Sequence, residues 1–548
     1  MNWVLGLAII ITVYFLISNY SNKKKYKKLK KELLKNWGKP KKNSYYNFNL
    51  IANYFNNYQP NYKPFHRVSD KVKSDLDIDE VFKSIDRTTS KVGQQFLYFK
   101  FRTIGSLENL VAFGKLTNAF KKNKSNAVKC QLILSKLSSH NSYDLEKLIT
   151  EKPIAKPKYL KLIYASSIGS ILFIILGFFN PIFFLFLLPL FFINTIFHYK
   201  NKENVTYYIS AVNQLSKALK VGKQLSNFNE VKQHYTYFSF LKKVNSIQLK
   251  TEFIGFENYL VNEYALPIWL LIELIKIQFM VEYIFFFSFV DAVTKEKKSI
   301  NKLFQFIGEI DSAISVASLK SDSLQLCEPE FTNKKQVVVN QISHPLIENC
   351  VLNNVLLNNK SLLLTGSNMS GKTTFIRTVA INAILAQTLN ICFAKEYNAP
   401  YFKIYSSIRI TDDLLDNTSY YLEEVLTIKE LISKSNTAEP CLFILDEIFK
   451  GTNTVERISG GKAILSYLNK GNNVVLVSTH DIELTDLLKT ENYQLFHFSE
   501  KIENQQLIFD HKLKEGKLKT RNAIKILELY KYPSEIIDDA RDIETTFN

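Results

Sequence analysis

The run Gly366-Ser367-Asn368-Met369-Ser370-Gly371-Lys372-Thr373 lies between an apolar stretch, Ser361-Leu362-Leu363-Leu364-Thr365, and a helical pattern from Thr374 to about Thr388. It reads G-x-x-x-x-G-K-[ST] after a buried strand and before a helix. That order commits this part of the chain to an α/β scaffold. The glycines free backbone N–H groups to face an anion, with Asn368, Met369 and Ser370 completing the loop. Lys372 reaches the β/γ oxygens of a phosphate chain, Thr373 offers a hydroxyl to Mg²⁺, and Thr374 opens the helix, whose N-terminus adds partial positive charge. A chance match in a loop would lack the flanking strand and helix. The pattern implies a site for a nucleoside triphosphate.

Hydropathy sets the second constraint. Trp3 to Tyr20 carries no charge and is followed by Lys23, Lys24, Lys25, Lys27, Lys28, Lys30 and Lys31. As a helix it would extend about 27 Å, enough for the hydrocarbon core. Lysines after the apolar run, rather than before it, favour an anchor with its N-terminus outside over a cleaved signal peptide. A second uncharged tract, Leu162 to Phe197, would form about 54 Å of helix, too much for one span. It has the turn-forming pair Asn180-Pro181 at its middle and lysines at both ends. A hairpin of two short helices with both ends cytoplasmic satisfies these features. The tract Ala265 to Val293 carries Glu273, Lys276, Glu282 and Asp291. Central charges cost about 2.5–3.5 kcal/mol each on insertion, so this tract is expected to be a buried helix of a soluble layer.

Length and composition bound the rest. At 548 residues the chain exceeds one core, and its formal charge is +19. That excess suits DNA, RNA or acidic lipid head groups, and equally a composition biased toward Lys and Asn. The five cysteines are scattered without a C-x-x-C pair, which gives metal or disulfide frameworks little support and fits a reducing compartment. Along the chain the expected order is a transmembrane anchor (1–22), a basic linker (23–70), a helical first half (71–158), the transmembrane hairpin (159–200), a helical second half (201–330), and alternating strands and helices over 335–548.

Two further strands carry chemistry. Cys441-Leu442-Phe443-Ile444-Leu445 ends in Asp446-Glu447, about seventy residues after the glycine loop. Asp446 is placed to take Mg²⁺ through water, and Glu447 to polarise a water attacking the γ-phosphate. Asn473 to Thr479 delivers His480, able to contact the γ-phosphate. A lone histidine is more often structural, so its place in the series is its only support.

Together these segments resemble the MutS family of ATPases, a branch of the ABC-type ATPases. The matching pieces are Thr365 to Arg377, then Leu445-Asp446-Glu447-Ile448-Phe449-Lys450-Gly451-Thr452-Asn453-Thr454, then Ser478-Thr479-His480-Asp481-Ile482-Glu483-Leu484. The Asn368-Met369 pair and the Gly-Thr-x-Thr after the acidic pair are narrower signals than the glycine loop. Asp412-Asp413 and Ser419-Tyr420-Tyr421-Leu422-Glu423-Glu424 resemble the family's signature segment, with Asn417 and Thr418 where it more often has Gly and a basic residue. Asp75 to Thr88 resembles the opening of the helical core or lever domain, Phe306 to Leu319 its end, His344-Pro345-Leu346 the entry to the ATPase, and Phe509 to Arg541 its helical tail.

The resemblance implies a multidomain architecture: a helical core/lever domain interrupted by a transmembrane hairpin, then an α/β P-loop (ABC-type, MutS-like) ATPase domain. It implies ATP and Mg²⁺, Lys372, Glu447 and His480 as catalytic residues, Thr373 and Asp446 at the metal, and a homodimer in which Ser419 reaches the partner's nucleotide. An anchor and Lys-rich linker stand where the family has its mismatch-recognition domain, and no Phe-x-Glu wedge is found there. The expected function is a membrane-anchored ATPase acting on DNA, with about three spans in a prokaryotic inner (plasma) membrane and its ATPase domain cytoplasmic. The alternative is an ABC-type mechanical ATPase working on a protein or lipid partner without DNA.

Overall fold

The computed structural model describes residues 20–21, 23–41, 45–60, 63–152, 154–247, 266–322, 324–367, 369–409, 420–503, 506–518 and 523–547. The chain divides into two compact units, one of residues 1–61, 85–99 and 112–322, the other of residues 62–84, 100–111 and 323–548.

The first unit is helical. Its apolar tract forms helix α1 (Leu160–Phe179), a tight 3₁₀ turn (Pro181–Phe186) and the start of the long helix α2 (Leu187–Leu225). The turn falls at Asn180-Pro181 for two reasons: the Asn180 side chain accepts from the Ile182 N–H, and Pro181 fits the first helical position, where no N–H is needed. Leu160–Phe179 and Pro181–Lys200 have mean hydropathies of 2.2 and 2.0, and only 22% and 11% of their apolar windows is buried. Both are long and apolar enough to cross a membrane. The tract Trp3–Tyr20 lies outside the described residues except for Tyr20, so two such helices, not three, stand among those described.

The Ala265–Val293 tract departs from a single buried helix. It forms α3 (Leu266–Phe279) and the start of α4 (Val281–Leu319), bent by 68° at Met280, which adopts φ 51°. The bend leaves the last carbonyls of α3 without helical donors, and hairpin side chains supply them. Ser167 Oγ donates to the Phe279 carbonyl at 2.8 Å; Ser170 Oγ and Asn194 Nδ2 donate to that of Gln278 at 3.0 and 2.8 Å. Its charges are paired: Lys276 lies 3.7 Å from Glu273 and 3.9 Å from Glu282, and His198 3.3 Å from Glu273. The insertion cost that argued against apolar surroundings is thereby reduced by partners brought from α2 and α4. Further along, Asp311 of α4 accepts from the backbone of Thr89 and Ser90 at 2.9 and 2.7 Å.

The second unit is mixed α/β. A two-stranded ribbon pairs β1 (His66–Arg67) with β2 (Thr103–Ile104). A four-stranded sheet has the order β3 (Glu330–Phe331), β7 (Glu396–Ala399), β4 (Gln336–Ile342), β5 (Asn353–Asn358). The larger sheet has six strands in the order β14 (Lys514–Glu515), β11 (Tyr493–His497), β6 (Ser361–Thr365), β10 (Val474–Ser478), β9 (Cys441–Asp446), β8 (Lys403–Ser407). Only β14 runs antiparallel to its neighbour. β6 and β10 are buried at every position, as their uninterrupted Leu and Val runs require of central parallel strands. Helices α5 (Lys372–Leu389), α6 (Tyr420–Ser435), α7 (Thr454–Leu468) and α8 (Glu483–Lys489) accompany the sheet, and β12 (Glu500–Glu503) and β13 (Gln506–Phe509) form a hairpin.

Part of the Asp75–Thr88 motif belongs to this unit. Buried Asp75 accepts from Ser406 Oγ at 2.7 Å and from the N–H groups of Ile408 and Arg409 at 3.1 and 3.0 Å, terminating β8. Asp77 pairs with Arg409 at 2.7 Å and Arg377 at 3.3 Å.

Candidate functional site

Strand register assembles the site. Ser478 of β10 pairs with Leu364 of β6 on one side and Asp446 of β9 on the other, so the three carboxyl ends are level. The residues that follow — the Gly366 loop, Glu447 and His480 — therefore emerge side by side. Crevices beyond the carboxyl ends of parallel strands are where such sheets bind ligands.

The loop at Gly366 requires its glycines. Gly366 adopts φ 150°, and a Cβ there would lie 2.9 Å from the Phe498 carbonyl and from Ser370 Oγ. Gly371 adopts φ 104° at the N-cap of α5. Met369 is 83% exposed with φ 68°. Ser370 Oγ is buried without a hydrogen-bond partner. A buried hydroxyl in this loop and a helix N-terminus form a cradle matched to an anion. Thr374 is exposed beside it, and Asn368 lies outside the described residues.

Lys372 is buried, and its ammonium donates to the carbonyls of Gly366 and Ser367 at 2.8 and 2.9 Å. Burial pulls its pKa down, opposed by Glu447, Asp446 and Glu500. Thr373 Oγ1 donates to Asp446 Oδ2 at 2.8 Å, and Ser478 Oγ donates to Asp446 Oδ1. That hydroxyl–carboxylate pair is the donor set of a hard divalent cation such as Mg²⁺. Glu447 sits at φ 54°, its N–H bonded to the Ser478 carbonyl at 2.9 Å. His480 Nε2 lies 2.9 Å from Glu447 Oε1, and Lys450 Nζ 3.1 Å from Oε2. These partners, His480 first, hold the Glu447 carboxyl down to about 2. Lys372, Thr373, Asp446, Glu447 and His480 are thus one connected constellation.

Ser419 lies outside the described residues. Glu424, in the same quoted segment, is buried on α6 and accepts from the Phe449 N–H. The sequence offered no reason to single it out, because its partner is a backbone group in a distant loop. His511 and Glu500 were likewise missed. His511 Nδ1 bonds the Ser370 carbonyl at 3.0 Å, and Ser367 Oγ donates to Glu500 at 2.7 Å. A cavity of about 270 Å³ opens next to the loop, lined by Ile347, Val351, Thr374, Phe498 and His511 among others. No residue spacing marks that wall in advance, since it joins segments more than a hundred residues apart.

Residues 362–548 match the family model for MutS domain V. The DNA mismatch repair protein MutS of Listeria welshimeri is 33% identical over 273 residues, 48% of this chain and 31% of its own length. Those of Staphylococcus aureus strain JH9 and Geobacillus sp. are 30% and 29% identical over 48% of the chain. The C-terminal part of this chain is similar to MutS domain V. The chain spans about a third of the relatives' own length (31%), and the matched residues 362–548 fall within the second unit.

Proposed function

We propose that the chain is a MutS-like ATPase that binds and hydrolyses ATP with Mg²⁺ on a P-loop. The observation that carries this is the convergence of Lys372, Thr373, Asp446, Glu447 and His480 at the carboxyl ends of β6, β9 and β10. The backbone of Gly366–Gly371 and Ser370 Oγ hold the phosphates. Lys372 exchanges the Gly366 and Ser367 carbonyls for β/γ oxygens, whose negative charge offsets the burial that pulls its pKa down. Thr373 and Asp446 would hold Mg²⁺, which when bound neutralises charge on the phosphate oxygens. Glu447, kept ionised, orders the attacking water as a hydrogen-bond acceptor, and His480 moves from it toward the γ-phosphate. The cavity beside His511 and Phe498 takes the base. In a homodimer Ser419 completes the partner's site.

The load is proposed to be DNA, following the mismatch-repair relatives and the +19 formal charge. The helical hairpin fixes the protein in a prokaryotic inner membrane with the ATPase unit cytoplasmic. A second reading, an ABC-type mechanical ATPase acting on a protein or lipid partner, is favoured by the exposed apolar surface of α1 and α2. Duplex DNA titrated into the detergent-solubilised protein separates them. Binding that weakens linearly in log salt supports the DNA role; no binding at low ionic strength leaves the second reading.

A further inference from the structure

Two of the five cysteines, apart in sequence, are joined in the second unit. Cys327 and Cys392 form an antiparallel bridge in which each N–H donates to the other's carbonyl at 3.0 Å. Residues directly opposed in such a hydrogen-bonded pair have Cα atoms about 5.5 Å apart, within the ~4.4–6.8 Å that a disulfide spans. The two are unequal. Cys392 is fully buried behind α5, its thiol 3.4 Å from the Asn382 carbonyl, whereas Cys327 is only partly buried. A hydrogen bond from Cys392 lowers the Cys327 thiol, against burial and the nearby Glu396 and Glu328. Burial pushes Cys392 well up.

We propose that Cys327 and Cys392 are a reversible thiol–disulfide pair, with Cys327 the nucleophile that meets a hydroperoxide and Cys392 the resolving thiol. The Cys327 thiolate attacks one oxygen of hydrogen peroxide, the O–O bond breaks, and the departing hydroxide takes up the proton that the thiol released to solvent, leaving a sulfenic acid and water. The Cys392 sulfur then attacks the Cys327 sulfur, the S–O bond breaks, and a second water leaves with the Cys392 proton. Two thiols are oxidised and one hydroperoxide is reduced. An external dithiol restores the pair by exchange. The bond would tie the strand entering β3 to the segment that follows α5, the helix bearing Lys372 and Thr373. Its existence does not depend on the nucleotide reading.

The test is hydrogen peroxide titration of the full-length protein in detergent, alkylation of remaining thiols, digestion without reductant and mass spectrometry. The expected product is a Cys327–Cys392 linked peptide pair, two hydrogen atoms lighter than the separate peptides, lost on adding dithiothreitol. In Cys392→Ser, Cys327 is expected to over-oxidise to the sulfinic acid. Cys327→Ser, at a partly buried position, should leave Cys392 alkylatable after unfolding. Peroxide concentrations that oxidise Cys350 while Cys327 and Cys392 both remain alkylatable would overturn the proposal. So would linkage of Cys327 to any other cysteine.

Discussion

Glu447 and Phe449 both hold left-handed backbone conformations, φ 54° and 59°, in non-glycine residues. Each costs about 1–3 kcal/mol and persists only where surroundings over-determine it. Here the Ser478 carbonyl fixes the Glu447 N–H, and Glu424 fixes that of Phe449. Burial raises the Glu424 carboxyl, opposed by the backbone N–H groups of Phe449 and Lys450, so it supports the turn that presents Glu447. Glu424→Ala is expected to lower kcat by up to about 100-fold, the effect of a misplacement near 1 Å, with the KM for ATP little changed. Glu424→Gln, which keeps an acceptor, should restore most of it. Steady-state kinetics decide: a KM that rises while kcat holds would make Glu424 a binding rather than a positioning residue.

At the scale of elements, the β1–β2 ribbon is tied to β8 by one side chain. His66 Nε2–H donates to the Ile404 carbonyl at 2.9 Å, and its ring meets Tyr405 edge-on at 5.1 Å. Burial lowers its pKa from 6.5 to about 4. Below pH 6.5 the unfolded chain takes up a proton that the folded one refuses. This stability is therefore present in full above pH 6.5 and falls away down to pH 4, by about 3 kcal/mol. His344, also lowered to about 4 by burial, adds in the same direction. Denaturant midpoints measured across this window should fall with acid, and less steeply in His66→Gln, which keeps the donor. Equal slopes would mean that His66 does not set this acid sensitivity.

The hairpin makes a prediction of its own. Ile171 on α1 is 49% exposed. On the membrane reading proposed for α1, Ile171→Lys places a charge in the span, at about 2.5–3.5 kcal/mol, and should shift protein from carbonate-resistant to extractable membrane fractions. Unchanged retention would mean that α1 does not face lipid. This element was legible because thirty-six uncharged residues with Asn-Pro at the centre admit few other folds. The break at Met280 was not, since nothing local to Met280 demands it. Ser167, Ser170 and Asn194 supply the α3 carbonyls from over eighty residues away.

Across the whole molecule, what sequence made plain is local chemistry and what it hid is long-range closure. The glycine loop, Asp446-Glu447 and His480 each sit at a strand end that a short apolar run announces. His511, Glu424 and Glu500 meet that site from segments with no periodicity tying them to it. The recruitment of Asp75 to β8 is hidden for the same reason, because 331 residues separate it from Ser406. The proposed function requires that these strand ends form one ATP-hydrolysing site. Its most direct test compares ATP binding and phosphate release in wild type, Glu447→Gln and Lys372→Ala. Glu447→Gln should bind ATP as wild type does and turn over at least ~100-fold more slowly, while Lys372→Ala loses both. Wild-type phosphate release by Glu447→Gln would contradict it.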